Sequence, residues 1–249
     1  MPQATPTPQS LQGPEFRFGA LVTVLAVVGG AMCVIGIALD VYLGLTGARQ
    51  SLPILGALVD AFHPNGESNL FAWYSAFLLA LLAVVFGIAM LVNWRTRERL
   101  PFAVMAGAAI VLSAGEGAAL QDRLRNLPAT LGIDVSFAYL WLVIAAPVAV
   151  AVGVWLTWVA RSLDRVLRRR LILGGALYLA GAIGIEALGG LLTTADVGHN
   201  RDGLLIIGDI AVLVEESLEV AGVLVALWAA LDRLGARSGP GGSLVLWYR

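Results

Sequence analysis

Apolar residues fall in six long runs, about Phe18–Leu45, Leu70–Val92, Phe102–Leu120, Phe137–Ala160, Leu171–Leu192 and Leu204–Leu231. Each reaches or nears the ~20 residues that carry a helix across ~30 Å of hydrocarbon. No segment of ~10 residues alternates apolar with polar as a membrane barrel strand would. The pattern predicts an all-α fold, an integral membrane bundle of six transmembrane helices. The first run is too long and too weakly flanked by basic residues for a cleaved signal peptide, so it reads as the first span.

Residues 1–17, rich in Pro, Gln, Thr and Ser, read as a disordered cytoplasmic N-terminus. Residues 18–232 form the membrane domain and 233–249 a cytoplasmic tail. Leu52–Phe62 is apolar but too short to cross, so it lies at the interface or dips in. Leu244–Arg249 is apolar and aromatic, and either touches the membrane surface or stays a flexible tail.

Arginine placement orients the chain, since all sixteen basic residues are Arg. Arg17, Arg95, Arg97, Arg99, Arg161, Arg165, Arg168, Arg169, Arg170, Arg233, Arg237 and Arg249 fall on one side. Arg49, Arg123, Arg125 and Arg201 fall on the other. Positive charge stays inside, so both termini face the cytoplasm of an inner (plasma) membrane.

Composition agrees: 59% hydrophobic and 13% charged residues, against about a quarter charged in soluble domains. The partner is the lipid bilayer, with a homo-oligomer or a larger membrane complex left open. A net charge of −1 without a basic patch excludes nucleic acid. Cys33 is the only cysteine, which excludes an internal disulfide and a thiolate metal site. Gly29, Gly30 and Gly36 in the first span, and Gly174, Gly175, Gly181, Gly184, Gly189 and Gly190 in the fifth, form small-residue stripes suited to close helix packing.

The candidate chemistry is acidic. Glu116, Glu186, Glu215, Glu216 and Glu219 lie within spans, and Asp40, Asp122 and Asp209 nearer span ends. One ionised side chain at mid-bilayer costs roughly 2.5–3.5 kcal/mol, so five would cost on the order of 12–17 kcal/mol. Protons, a cation, water or an external Arg must compensate them. Glu216 and Glu219 are three apart, Glu215 and Glu219 four, and Asp209 precedes Glu216 by seven, nearly one helical face. With Glu116 and Glu186 in the external halves of their spans, these acids converge on one outward-opening pocket. Arg123, seven after Glu116, is the expected basic partner at a rim that also holds Glu67, Asp122 and Asp209. The alternative is that protonated acids, hydrogen-bonded to backbone, serve packing.

No His or Cys lies in this site, so a typical structural or catalytic zinc site is not expected. Oxygen donors alone suit a proton or a divalent cation, with Glu186, Glu216 and Glu219 as the candidate metal ligands. Glu216-x-x-Glu219 is only half of a di-iron pattern. His63 and His199 lie in external loops, either solvated or meeting over the pocket.

The stretch from Ser113 to Leu124 resembles a helix written S-x-D-E-x4-H-E-R in a family of uncharacterised bacterial multi-pass membrane proteins. Gly174 to Glu186 is similar to that family's fifth helix, and Glu215 to Gly222 to its E-E-x2-E-x2-G helix. Glu67 with Trp73–Ser75 resembles its approach to the second span. The resemblance covers about Leu55 to Leu231. It implies that Glu67, Glu116, Asp122, Glu186, Glu215, Glu216 and Glu219 hold the family's acidic positions. Gly115 stands where the family has Asp, and Gln121 where it has His, so one carboxylate and one imidazole are missing. The family brings no established activity.

The reading that follows is a carboxylate-lined membrane protein binding or conducting protons or a divalent cation from the external side. An intramembrane metal-dependent enzyme on a lipid-like substrate, and a structural subunit of a larger complex, are the alternatives.

Overall fold

The structure, a computed structural model, describes residues 18–64, 66, 69–120, 123, 140–185, 187–188, 201–238 and 244–248, with main chain only at 140–144, 201–206 and 244. Its helices are α1 (Gly19–Thr46), α2 (Pro53–Phe62), α3 (Leu70–Val92), α4 (Arg99–Gly117), α5 (Leu140–Val159), α6 (Arg165–Leu179) and α7 (Arg201–Leu231). A 3-10 turn, Ala160–Ser162, follows α5, and a π-helical turn, Ala180–Ile185, follows α6. Strands β1 (Leu234–Ser238) and β2 (Leu244–Tyr248) close the described chain.

Among the described residues four helices are long and apolar enough to cross a membrane: α1, α3, α4 and Ala145–Ser162, which joins α5 to its 3-10 turn. Their outward faces carry Val24, Val27, Val34, Val84, Ile110, Val111, Val154 and Trp158, all exposed. Water disfavours so continuous an apolar surface, whereas lipid accepts it. The other two expected spans differ from these. Helix α6 has 15 residues before its π turn. Helix α7 has 31 residues, about 46 Å at 1.5 Å per residue, but its middle carries the acids.

The core lies between α3 and α7. Leu78, Leu79, Leu82 and Phe86 of α3 meet Val220, Val223, Leu224 and Leu227 of α7, with Phe102 and Met105 of α4 and Leu167 and Leu171 of α6 around them. Close backbone approach fixes α6 on α7. A Cβ on Gly222 would fall 2.5 Å from the Gly174 carbonyl, and one on Gly181 would fall 2.6 Å from the Glu215 carbonyl. Of the described glycines in the expected stripes, Gly29, Gly36, Gly174 and Gly181 make close approaches, whereas Gly30, Gly175 and Gly184 face open space.

Near the C-terminus two strands pair, where the sequence left a flexible tail open. Strand β1 pairs antiparallel with β2 in the register Leu234↔Tyr248 and Ala236↔Leu246. The Tyr248 ring meets Phe102 edge to face at 5.4 Å, and Phe102 is fully buried. Two ion pairs tie elements together at this end. Arg170 pairs with Asp232 at 2.6 Å and lies over Trp228, and Arg233 pairs with Asp164. Asp164 caps α6, accepting from the Val166 and Leu167 amides. The Leu167 amide first, then the other α6 amides and Arg233, hold its carboxyl below the usual range, while burial and then Asp164 push Glu98 up.

Candidate functional site

Two polar stations lie along the side of α7 that faces the bundle. The first is at the bundle end where α1 finishes and α7 begins. Cys33, Gly36 and Asp40 follow Gly29 at steps of four, three and four, one face of α1. Gly36 lacks the Cβ that would strike the Phe62 carbonyl at 2.4 Å and His63 Cα at 2.8 Å. The end of α2 therefore rests directly on α1, one helical turn from Asp40.

His63 caps α2, its amide donating to the Val59 carbonyl at 2.7 Å. Its carbonyl accepts from the Gly66 amide at 3.0 Å and from Asn69 Nδ2 at 2.8 Å. Asn69 also caps α3 by accepting from Ala72. The imidazole thus projects from a clamped backbone. Its Nε2 lies 3.7 Å from Asp40 Oδ2 and 3.7 Å from Asp209 Oδ1. One donor atom from each of Asp40, His63 and Asp209 falls within 4.8 Å of the others. Arg49 donates to Asp40 Oδ1 at 3.1 Å and also pairs with Asp60.

The second station is deeper. Glu116 of α4, Tyr178 of α6 and Glu219 of α7 line a cavity of about 10 Å³ with Ser75, Leu78, Leu79, Val220 and Val223. The Tyr178 hydroxyl shares a hydrogen bond with Glu219 and neighbours Glu116 and Glu216. Glu216 in turn neighbours Glu219, Glu116 and Glu215. The π turn brings Gly181 against Glu219, where a Cβ would meet its Cγ at 2.8 Å. A widened turn at this point lets the backbones close while leaving space for the acids. Ser113 ties α4 to α3 by donating to the Ala76 carbonyl at 2.8 Å.

The structure thus brings Glu116, Glu216 and Glu219 together, with Glu215 beside them, and sets Asp209 with the outer station. Glu67, Asp122 and Glu186 lie outside the described residues, as does His199. The Glu186–Glu216–Glu219 ligand set is therefore described only in part.

Arg123 does not sit over Glu116 as seven-residue spacing implies. Helix α4 ends at Gly117, and Ala119 turns left-handed with φ 50°, so the two residues share no helix. Arg123 Nε donates instead to the Ala118 carbonyl at 3.1 Å, covering a C-terminal carbonyl. The outer basic partner is Arg49. Nor are His and Cys absent from the acids: His63 meets Asp209, and buried Cys33 hydrogen-bonds Ser217 beside Glu216. Sequence reasoning missed Asp40 and His63 as site residues. The available signal was Gly36-x3-Asp40 on the face of α1 against a short apolar helix ending in His63.

Neither the curated proteins nor the solved structures include a match to this chain. A family model described as "Domain of unknown function (DUF8692)" matches residues 18–234, most of the chain including both stations, and the protein belongs to that family.

Proposed function

We propose that this membrane protein binds protons at the Glu116–Glu216–Glu219–Tyr178 cluster and exchanges them through the Asp40 end of the bundle. The observation that carries this reading is convergence. Acids from two helices and a phenol from a third meet around one small cavity, whose lining among the described residues has no basic side chain. Three ionised carboxylates in that setting repel one another and lack water, so the neutral acid is the stable form. A space of about 10 Å³ is at the lower limit for one water. It favours a proton over a hydrated divalent cation and has no room for a lipid-like substrate.

Sidedness supports binding over open conduction. Asp209 and Glu216 share a face of α7 two turns apart, which puts the Asp209 end on the polar side of the cluster. Arginine distribution makes that end external. Toward the hairpin, Val223, Leu227 and Phe102 are buried and apolar, closing the way.

Infrared titration of the purified protein tests the reading. The expected result is a protonated-carboxyl C=O band at neutral pH, shifted in D₂O, that weakens in Glu216→Gln/Glu219→Gln. The reading is overturned if every carboxyl is ionised at neutral pH and a stoichiometric metal is lost with the same substitutions.

A further inference from the structure

We propose that Asp40, His63 and Asp209 form a binding site for a divalent first-row transition-metal ion of the zinc class, with an open coordination position. This site is separate from the proton cluster and stands or falls independently of it.

Geometry argues first. Both carboxylate oxygens lie 3.7 Å from His63 Nε2, too far for a direct hydrogen bond. A water accepting and donating at ~2.8 Å would hold its partners about 4.5 Å apart. Ligands at ~2.0–2.2 Å around a tetrahedral ion lie about 3.4 Å apart. The two spacings from the imidazole are closer to the second case, and the third lies within 4.8 Å. Asp209 is 8% exposed, and its Oδ2 is buried with no hydrogen-bond partner among the described residues. Such a carboxylate takes up a proton, a water or a cation, and the spacing of Oδ1 from the imidazole favours the cation.

Charge argues next. Asp40 divides its oxygens, Oδ1 to Arg49 and Oδ2 toward His63. Arg49 is also engaged by Asp60, so that pair is neutral between them. Two carboxylates of the triad remain, which a divalent ion balances. One imidazole nitrogen with two carboxylate oxygens suits zinc-class ions better than calcium or magnesium, which prefer oxygen alone. Three protein ligands leave a fourth position for water or an exchangeable ligand. Arg49 orients a ligating carboxylate from behind, as outer-sphere partners do at metal sites.

The test is a titration of chelator-stripped, detergent-solubilised full-length protein with Co²⁺, read by visible d–d absorption and displaced by Zn²⁺. One equivalent is expected to bind, and X-ray absorption is expected to find one imidazole nitrogen among oxygen neighbours. That spectral readout on the unmodified chain holds whether or not a variant folds. Asp209→Asn and His63→Gln should each weaken binding more than about 100-fold, beyond the ~10–100-fold typical of outer-sphere changes and expected for Arg49→Ala. Glu216→Gln/Glu219→Gln should bind as the unmodified chain does. The proposal is overturned by the absence of saturable one-to-one binding, by a site without nitrogen, or by binding that survives His63→Gln and disappears with the Glu216/Glu219 pair.

Discussion

The two ends of α7 treat charge in opposite ways. At the hairpin end, Asp232 and Arg233 each meet an opposite charge, Arg170 and Asp164, and Arg170 covers Trp228. At the other end, Asp209, Glu216 and Glu219 face acids, a phenol and an imidazole, and the nearest described arginine, Arg49, is shared between two aspartates. Paired charge with capped helix ends is architecture: it holds elements together. Acids gathered without matching cations have a standing need for protons or metal, and that need is the chemistry.

The comparison breaks most severely at the joint between the ends. Gly222→Leu would force atoms into the Gly174 carbonyl, which lies 2.5 Å from a Cβ there. Overpacking of this kind costs about 1–3 kcal/mol or more, so thermal melts should show the largest loss, while Gly175→Ala, facing open space, leaves the melt unchanged. Next comes the hairpin. Tyr248→Ala removes the ring on Phe102 and should cost about 2 kcal/mol, less than the ~3–5 of a fully buried aromatic. The carboxyl infrared band should not move. If it does, the ends are not independent.

Tyr178→Phe should do the reverse, costing only about 1 kcal/mol for one hydrogen bond while shifting the carboxyl band, because Glu219 loses its phenol partner. The smallest effect belongs to Asp164. Asp164→Asn keeps an acceptor for the α6 amides and should melt close to the unmodified chain, with Asp164→Ala lower. Because its folded carboxyl is held below the ordinary value, its contribution is complete above the unfolded pKa of about 4 and fades as pH falls through the folded one. Glu98, pushed up by burial, has the opposite sign: its ionised form is penalised above the folded pKa, and the penalty fades as pH falls. Melts of Glu98→Gln against pH should therefore gain most at neutral pH.

Much of this was legible in the sequence because lipid imposes a simple rule. Hydropathy found α1, α3 and α4 within a few residues, and the three-residue spacing in α7 makes Glu216 and Glu219 neighbours on one helix. Extrapolated periodicity failed where a helix stopped. Gly115 and Gly117 flank Glu116 with poor helix formers, α4 ends there, and Arg123 leaves the expected face. The Asp40–His63–Asp209 triad was only partly legible, for another reason. Its residues come from three segments distant in sequence, and the sequence shows Gly36-x3-Asp40 and the short apolar helix ending in His63 but not that the two pack together. The hairpin escaped because Leu244–Tyr248 reads as an apolar tail until it has β1 as a partner.

The central claim is that the inner acids exchange protons with one face of the membrane only. Vesicles holding the protein in one orientation, subjected to a pH jump on one side while the carboxyl infrared band is followed, test it most directly. The account predicts that the band responds promptly to a jump on the Asp40 side and stays unchanged when only the hairpin side is acidified. An equal response from the hairpin side would contradict it.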